Sequence, residues 1–217
     1  MKRKLPDLKY EKELWKKGFI VIGIDEVGRG AFAGPLYVGG VVFEPTTSEQ
    51  RIANLLSYGI NDSKKLTVSR RNVLSEVIQK ECLSYHISQV SVATINRFGV
   101  GRATFMAMRD VVKNLRENIS GQKIFVLVDG FYIKHLKTVG IKNQKGIVRG
   151  DEISLTIAAA SIIAKVARDK HMVKLSAKYP NFQLHKNKGY GTAEHRTALQ
   201  KFGATKLHRT AFIKNFI

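Results

Sequence analysis

The chain has 217 residues, 44% hydrophobic and 25% charged, which fits one domain with a sizeable core and excludes disordered, collagen-like and coiled-coil classes. No run reaches the ~18 uninterrupted apolar residues of a membrane span, the basic N-terminus Met1–Asp7 lacks the apolar stretch of a secretory signal, and one cysteine, Cys82, fits a reducing cytoplasm. Charge is the strongest feature: 37 Lys and Arg face 17 Asp and Glu, a net +20, and residues 134–217 carry 17 basic side chains to 4 acidic ones.

Without repeat, linker or low-complexity tract, residues 1–217 read as a single domain. Phe19-Ile-Val-Ile-Gly-Ile24 is a continuous apolar run, a strand buried on both faces. Leu36 to Phe43 is a second strand, joined through a Gly-rich turn at residues 28–34. Thr67 or Ser69 caps a helix through Lys80 with Leu74, Val77 and Ile78 on one face, and Leu83 to Val92 alternates as a third strand. A helix over Gly101–Leu115 precedes a fourth strand, Lys123–Val128, which ends at Asp129-Gly130. A weaker strand is expected near Thr138–Ile141, then a long helix from Ile153 to Tyr179 stopped by Pro180, and a last helix over Thr192–Phe202. Strands first in a run, then alternating with helices, make a mixed α/β sheet.

A basic excess of this size repels itself unless a polyanion is the usual partner, and nucleic acid is the commonest one. In so basic a chain the positions of the acids carry information. Asp25-Glu26 closes the first strand and Asp129 the fourth, so these carboxylates fall along one edge of the sheet, where α/β proteins place ligands. Asp151-Glu152 is expected to open the long helix and face the same edge. Several acids at strand ends favour a hard cation held by oxygen, Mg²⁺ or Mn²⁺, since no Cys or paired-His spacing supports zinc. A polyanion binder with a carboxylate cluster has the layout of two-metal phosphodiester hydrolysis.

Other devices surround the acids. The glycines of Gly28-Arg29-Gly30 let backbone amides approach a sugar or phosphate, and Arg29 adds a planar donor fork. Asp62-Ser63-Lys64-Lys65 offers a hydroxyl and two ammoniums to phosphates. Ser161, Lys165, Arg168 and Asp169 form a polar stripe on the long helix, placed to support a site. Tyr190, between glycines in a basic segment, can stack on a sugar or base. The six histidines show no ligand or triad spacing and read as exposed surface residues.

Together these segments resemble type 2 ribonuclease H, the ribonuclease HII family in its bacterial form. The resemblance rests on Gly23-Ile-Asp-Glu-Val-Gly-Arg-Gly30 with Ala33-Gly-Pro-Leu36, Asn61-Asp-Ser-Lys-Lys-Leu66, Val128-Asp-Gly130 and Arg149-Gly-Asp151. It continues through Ala159–Asp169 and Lys188-Gly-Tyr-Gly-Thr192, in family order over residues 18–212. It implies a ribonuclease H-like fold, a mixed sheet flanked by helices, with a core over residues 18–180 and a helical substrate-binding segment over 181–217. It also implies an endoribonuclease that cuts RNA/DNA hybrids and cuts 5′ of single ribonucleotides in duplex DNA, leaving 3′-hydroxyl and 5′-phosphate ends.

Position by position, the resemblance makes Asp25, Glu26, Asp129 and Asp151 the catalytic ligands of two Mg²⁺ or Mn²⁺ ions. Gly28, Arg29 and Gly30 would read the 2′-hydroxyl, Ser63, Lys64 and Lys165 would bind substrate, and Tyr190 would stack on the deoxyribose past the junction. Ser161, Arg168 and Asp169 would support the site. The implied partners are RNA/DNA hybrids and RNA–DNA junctions in duplex DNA; no membrane is involved, and the chain acts as a cytoplasmic monomer. No segment identifies a replication-clamp contact. The sister type, ribonuclease HIII, is disfavoured because it carries an extra N-terminal domain and lacks Arg in the GRG position. Two departures stand out: His208-Arg-Thr-Ala-Phe212 replaces a more basic, serine-containing version, and the stretch between Asp129 and Asp151 is a few residues longer. The competing reading, a non-catalytic ribosomal-type binder, accounts for size and charge but has no use for Asp25, Glu26 and Asp129 at strand ends.

Overall fold

Apolar runs without alternation belong where both faces of a strand are covered, and the first two strands occupy that position. The computed structural model describes residues 5–119 and 121–216; Met1–Lys4 of the basic N-terminal segment lie outside the described residues. The elements run α1 (Lys9–Trp15), β1 (Phe19–Val27), β2 (Leu36–Val42), α2 (Glu49–Ser57), α3 (Val68–Glu81), β3 (Ser84–Val90) and α4 (Val92–Phe98). They continue with α5 (Val100–Asn118), β4 (Lys123–Asp129), β5 (Gln144–Ile147), α6 (Leu155–Lys178), α7 (Leu184–Asn187), α8 (Ala193–Phe202) and α9 (Thr210–Ile213). The strands form one sheet in the order β3-β2-β1-β4-β5. β1, β2 and β3 are antiparallel neighbours, while β4 runs parallel to β1 and β5 parallel to β4. This is the expected mixed α/β sheet flanked by helices, with a helical C-terminal segment.

Each face of the sheet takes one long helix. Met108, Val111 and Leu115 of α5 pack on Ile22, Val38 and Val42. On the other face the small residues Ala158, Ala159 and Ala160 bring α6 close to the strands. Gly23 and Gly39 make that approach feasible: a Cβ at either would collide with the α6 backbone at Thr156 or Ala160. The helix can therefore place side chains directly at the carboxyl ends of β1 and β4.

The start of α6 is fixed from outside the sheet. Ser154 caps it, its Oγ accepting from the Ile157 amide at 3.3 Å. Glu11 of α1 accepts from the Ser154 hydroxyl at 2.6 Å and the Thr156 hydroxyl at 2.7 Å, both through Oε1. Backbone bonds between Asp7 and residues 153 and 155 complete the anchor. At the other end, Met172 joins Phe182, Leu184, Leu199 and Ile213 in a small core that holds the C-terminal helices.

Three expectations are corrected. No strand forms near Thr138–Ile141; Ile141–Asn143 is a 3₁₀ turn and the fifth strand is Gln144–Ile147. There the Gln144 side chain ties down the Ile133 amide and carbonyl at 2.8 and 3.2 Å. Asp151-Glu152 does not open the long helix but lies in a separate 3₁₀ turn, Gly150–Glu152, because Ser154 takes the cap. The third strand ends at Val90, since Ser91 caps α4 by accepting from the Thr94 amide. Among the described residues, no helix is long and apolar enough to cross a membrane.

Candidate active site

β1 and β4 are parallel neighbours with Ile24 opposite Val128, so Asp25 lies level with Asp129 at the end of β4. Asp25-Glu26 does not close the first strand as expected: β1 runs on to Val27, because Asp25, Glu26 and Val27 stay paired with Gly39, Val38 and Tyr37 of β2. Asp25 is buried and its Oδ1 accepts from the Glu26 amide at 2.7 Å. Asp129 Oδ1 accepts from the Gly150 amide at 2.7 Å, which docks the turn carrying Asp151 against β4. That turn is entered through Arg149 in a left-handed conformation, φ 56°. Thus the chain brings Asp25, Glu26, Asp129 and Asp151 to one edge of the sheet from three separate segments.

Their electrostatics follow from this crowding. Burial holds Asp25 well above the usual carboxylate range, the charges of Glu26, Asp129 and Asp151 push it further, and the Ser161 hydroxyl opposes. Asp151 rises to about 6, first by burial and then through Asp129 and Asp62, with Lys64 opposing. Lys64 Nζ stands 3.8 Å from its Oδ2. Glu26 is also raised by burial; Arg29, 3.4 Å away, pulls it back, and its Oε2 is buried without a partner. Glu152 is drawn off by Arg149 and Lys65 at 2.6 and 2.8 Å. Among the described residues no three His, Cys, Asp or Glu side chains are already gathered as metal ligands. The donor set is nonetheless all oxygen and like-charged, with Glu26 Oε2 buried and unpartnered, which is the chemistry a hard divalent cation satisfies.

A cleft of about 460 Å³ opens on these acids, lined by Asp25, Glu26, Gly28, Arg29, Gly30, Ser63, Lys64, Ser161, Lys165 and Tyr190. Asp129 and Asp151 are not among its lining residues; they reach it through the charge they impose on Asp25. A larger cavity, about 780 Å³, lies beyond Arg29 against Phe105, Phe131 and Leu136, and no acid lines it. Size alone does not mark the chemistry.

The supporting side chains interlock. Ser63 and Ser161 share a buried hydroxyl–hydroxyl bond of 3.0 Å. Lys165 Nζ donates to Asp169 Oδ1 at 2.8 Å, and burial lowers the pKa of Lys165. Arg168 is fully buried and donates from Nε to the Pro35 carbonyl at 3.0 Å; its guanidinium lies 5.3 Å from the Tyr190 ring. Arg29 sits over the Phe131 ring at 4.9 Å.

Several contributors escape sequence reasoning. Arg209 is fully buried and donates to the carbonyls of Gly28 at 2.7 Å, Arg29 at 2.9 Å and Gly34 at 2.8 Å. It fixes the whole glycine turn from behind. Arg71 bonds the Ser63 and Leu66 carbonyls, and the Asp62 carboxylate accepts from the Lys64 amide. His195 and His208 are buried, which corrects their reading as surface residues. The available signal was His195 three and four positions before Ala198 and Leu199 on the inward face of α8.

Comparison with known proteins identifies the chain's relatives. Residues 22–215 match the family model described as Ribonuclease HII. The chain is 40% identical over 208 residues to the ribonuclease HII of Caldicellulosiruptor bescii, covering 95% of this chain and 93% of that one. Among solved structures, the ribonuclease HII of Archaeoglobus fulgidus in complex with PCNA superposes with a TM-score of 0.71 at 26% identity, covering 88% and 94% of the two chains. Bst-RNase HIII in complex with Mn²⁺ shares the fold, with a TM-score of 0.72 at 18% identity over 90% of this chain and 67% of that one.

Proposed function

The chain belongs to the ribonuclease HII family of RNA/DNA-hybrid endoribonucleases, and we propose that it also incises duplex DNA at single embedded ribonucleotides. The cut falls 5′ of the ribonucleotide and leaves 3′-hydroxyl and 5′-phosphate ends. Four acids at one sheet edge of a +20 protein support hydrolysis at a phosphodiester, and the observation that carries the junction reading is that the Gly28–Gly30 turn and Tyr190 line the same cleft as Asp25 and Glu26.

In this reading Asp25, Glu26, Asp129 and Asp151 hold two Mg²⁺ or Mn²⁺ ions. When bound, the ions supply an activated water and charge neutralisation at the leaving oxygen. Binding and selection fall to the chain's own groups. Lys64, Lys165 and Ser63 line the cleft where phosphates of the cut strand pass. The Gly28–Gly30 turn, held by Arg209, is preformed to meet a 2′-hydroxyl, which both donates and accepts. Tyr190, flanked by Arg168 and Lys165, stacks on the deoxyribose that follows the junction. Ser161, Arg168 and Asp169 hold these groups in place. The same reading has the chain working as a cytoplasmic monomer.

The test is incubation with three labelled duplexes: all DNA, DNA with one ribonucleotide, and a continuous hybrid, each with and without Mg²⁺ or Mn²⁺. The expected result is one metal-dependent cut 5′ of the single ribonucleotide and none in all-DNA duplex. Cleavage of the hybrid with the embedded ribonucleotide left intact overturns the proposal.

A further inference from the structure

The segment 205–209 and the turn at Tyr190 are joined by two buried histidines whose protonation is fixed by their partners. The Thr205 amide donates to His208 Nδ1 at 3.0 Å, so that nitrogen is the acceptor and the proton of neutral His208 sits on Nε2. His208 Nε2 lies 3.1 Å from His195 Nε2, which must then accept. The proton of His195 is left on Nδ1, 2.9 Å from the Tyr190 carbonyl, to which it donates. Every polar group in the chain Thr205–His208–His195–Tyr190 is satisfied in one arrangement of tautomers. Phe182, with its centroid 4.8 Å from His208 and 5.9 Å from His195, closes the pair off from water.

The next residue is Arg209, which grips the Gly28, Arg29 and Gly34 carbonyls. The backbone repeats the connection: the Phe32 and Ala33 amides donate to the Gly189 carbonyl at 2.8 and 3.0 Å, and the Gly34 amide donates to Leu207 at 2.9 Å. Two segments more than 150 residues apart in sequence are thereby built into one frame.

We propose that His195 and His208 are positioning residues that hold Tyr190 at a fixed offset from the Gly28–Gly30 turn, so that the two contacts register on the adjacent sugars of one RNA–DNA junction. The inference rests on the assignment of those two contacts made above. A frame of this kind sets specificity, because a ribose in one contact and a deoxyribose in the other are recognised together only at a fixed spacing. A continuous hybrid offers that pair of sugars nowhere along its RNA strand, so it depends less on the offset.

The test compares His208→Gln with His208→Asn. A Gln amide NH₂ reaches the place of Nε2 and still donates to His195, whereas Asn keeps only the acceptor for Thr205. The quantity read is the ratio of cleavage on a single embedded ribonucleotide to cleavage on a continuous hybrid, together with the scatter of cut positions. His208→Asn is expected to lower the ratio about tenfold, the scale of one lost stacking contact, and His208→Gln to hold it within about twofold. Equal losses of both substrates in both variants, in step with melting temperature, overturn the proposal and leave the pair a packing element. Tyr190→Ala is run alongside: a selective loss there with an unchanged ratio in His208→Asn defeats the relay alone. A Tyr190→Ala loss equal on both substrates defeats the underlying assignment as well. Independently of any variant, long-range ¹⁵N NMR of the wild-type imidazoles at pH 7 should show His195 protonated at Nδ1 and His208 at Nε2. The opposite tautomer at either ring overturns the relay.

Discussion

Glu11 and the acids of the cleft are all withdrawn from water near the start of α6, yet they are held in opposite ways. Glu11 is fully buried, and its Oε1 alone accepts from two hydroxyls and the Thr156 amide. Burial still raises its pKa, but three donors converge on that one oxygen, while Oε2 is buried without a partner. Asp25, Glu26 and Asp151 are also raised first by burial, but each takes the charge of neighbouring acids on top of it, Asp129 in all three cases. The first arrangement is scaffold: one acid, one of its oxygens held by three donors, a helix start fixed. The second leaves like charges unrelieved within the fold, a cost that folded proteins keep where a cation or substrate needs the site.

The sharpest way to break this comparison is to remove one charge from each place. Asp129→Asn keeps an acceptor for the Gly150 amide, so the turn bearing Asp151 stays docked. Turnover is expected to fall more than about a hundredfold in Mg²⁺, because a ligand charge is lost. Duplex binding should persist, since the attraction of a +20 surface to phosphates is untouched. Parallel cleavage and filter-binding assays decide it: cleavage within about tenfold of the parent removes Asp129 from the site.

Glu11→Ala attacks the other side. It strands the Ser154 and Thr156 hydroxyls and one amide in a dry environment, an expected loss of about 3 kcal/mol in urea unfolding. Well below its melting temperature the variant should cut normally, because no cleft residue is touched. Glu11→Gln keeps the Oε1 acceptor and removes the buried charge, so it should lose less than about 1 kcal/mol. If the alanine variant is as stable as the parent, Glu11 is not the anchor and the contrast with the cleft collapses.

The two regions also differ in how readable they were. Asp25-Glu26 and Asp129 follow unbroken apolar runs, which makes the acids stand out in the sequence, although only β4 ends at its acid and β1 runs on to Val27. Glu11 sits in a seven-residue helix flanked by lysines, where an acid reads as solvent-facing. Its partners lie more than 140 residues away, beyond any local pattern. Arg209 is hidden for the same reason: in a chain with 37 basic residues, one that turns inward to bind carbonyls has no distinguishing neighbour. β5 was misplaced because a four-residue edge strand needs no alternation, only the register offered by β4.

The smallest expected effect concerns acid titration, where two buried groups respond with opposite sign. Asp151, raised to about 6, holds its proton more tightly folded than unfolded, so its ionisation costs stability above pH 6 and the cost disappears as pH falls toward 4. His208, lowered to about 4 by burial and by His195, is the reverse: its neutral form favours the fold above pH 6.5, and that stability is lost as pH falls through 4. Without divalent metal, Asp151→Asn should therefore be more stable than the parent by about 1–3 kcal/mol at pH 8, with the gain fading by pH 4.5. His208→Gln should be less stable at pH 8, with its deficit narrowing over the same range. Global electrostatics argues against the first of these, because deleting an acid from a +20 chain adds to the net repulsion. The local term is expected to win because Asp129 and Asp62 act on Asp151 at short range in a dry setting, while the surface excess is screened by salt. Unfolding curves at pH 8, 6 and 4.5 in chelator separate the two. A pH-independent gain, or a loss at pH 8, would mean that Asp151 is as relieved as Glu11 and that the sheet edge carries no stored repulsion.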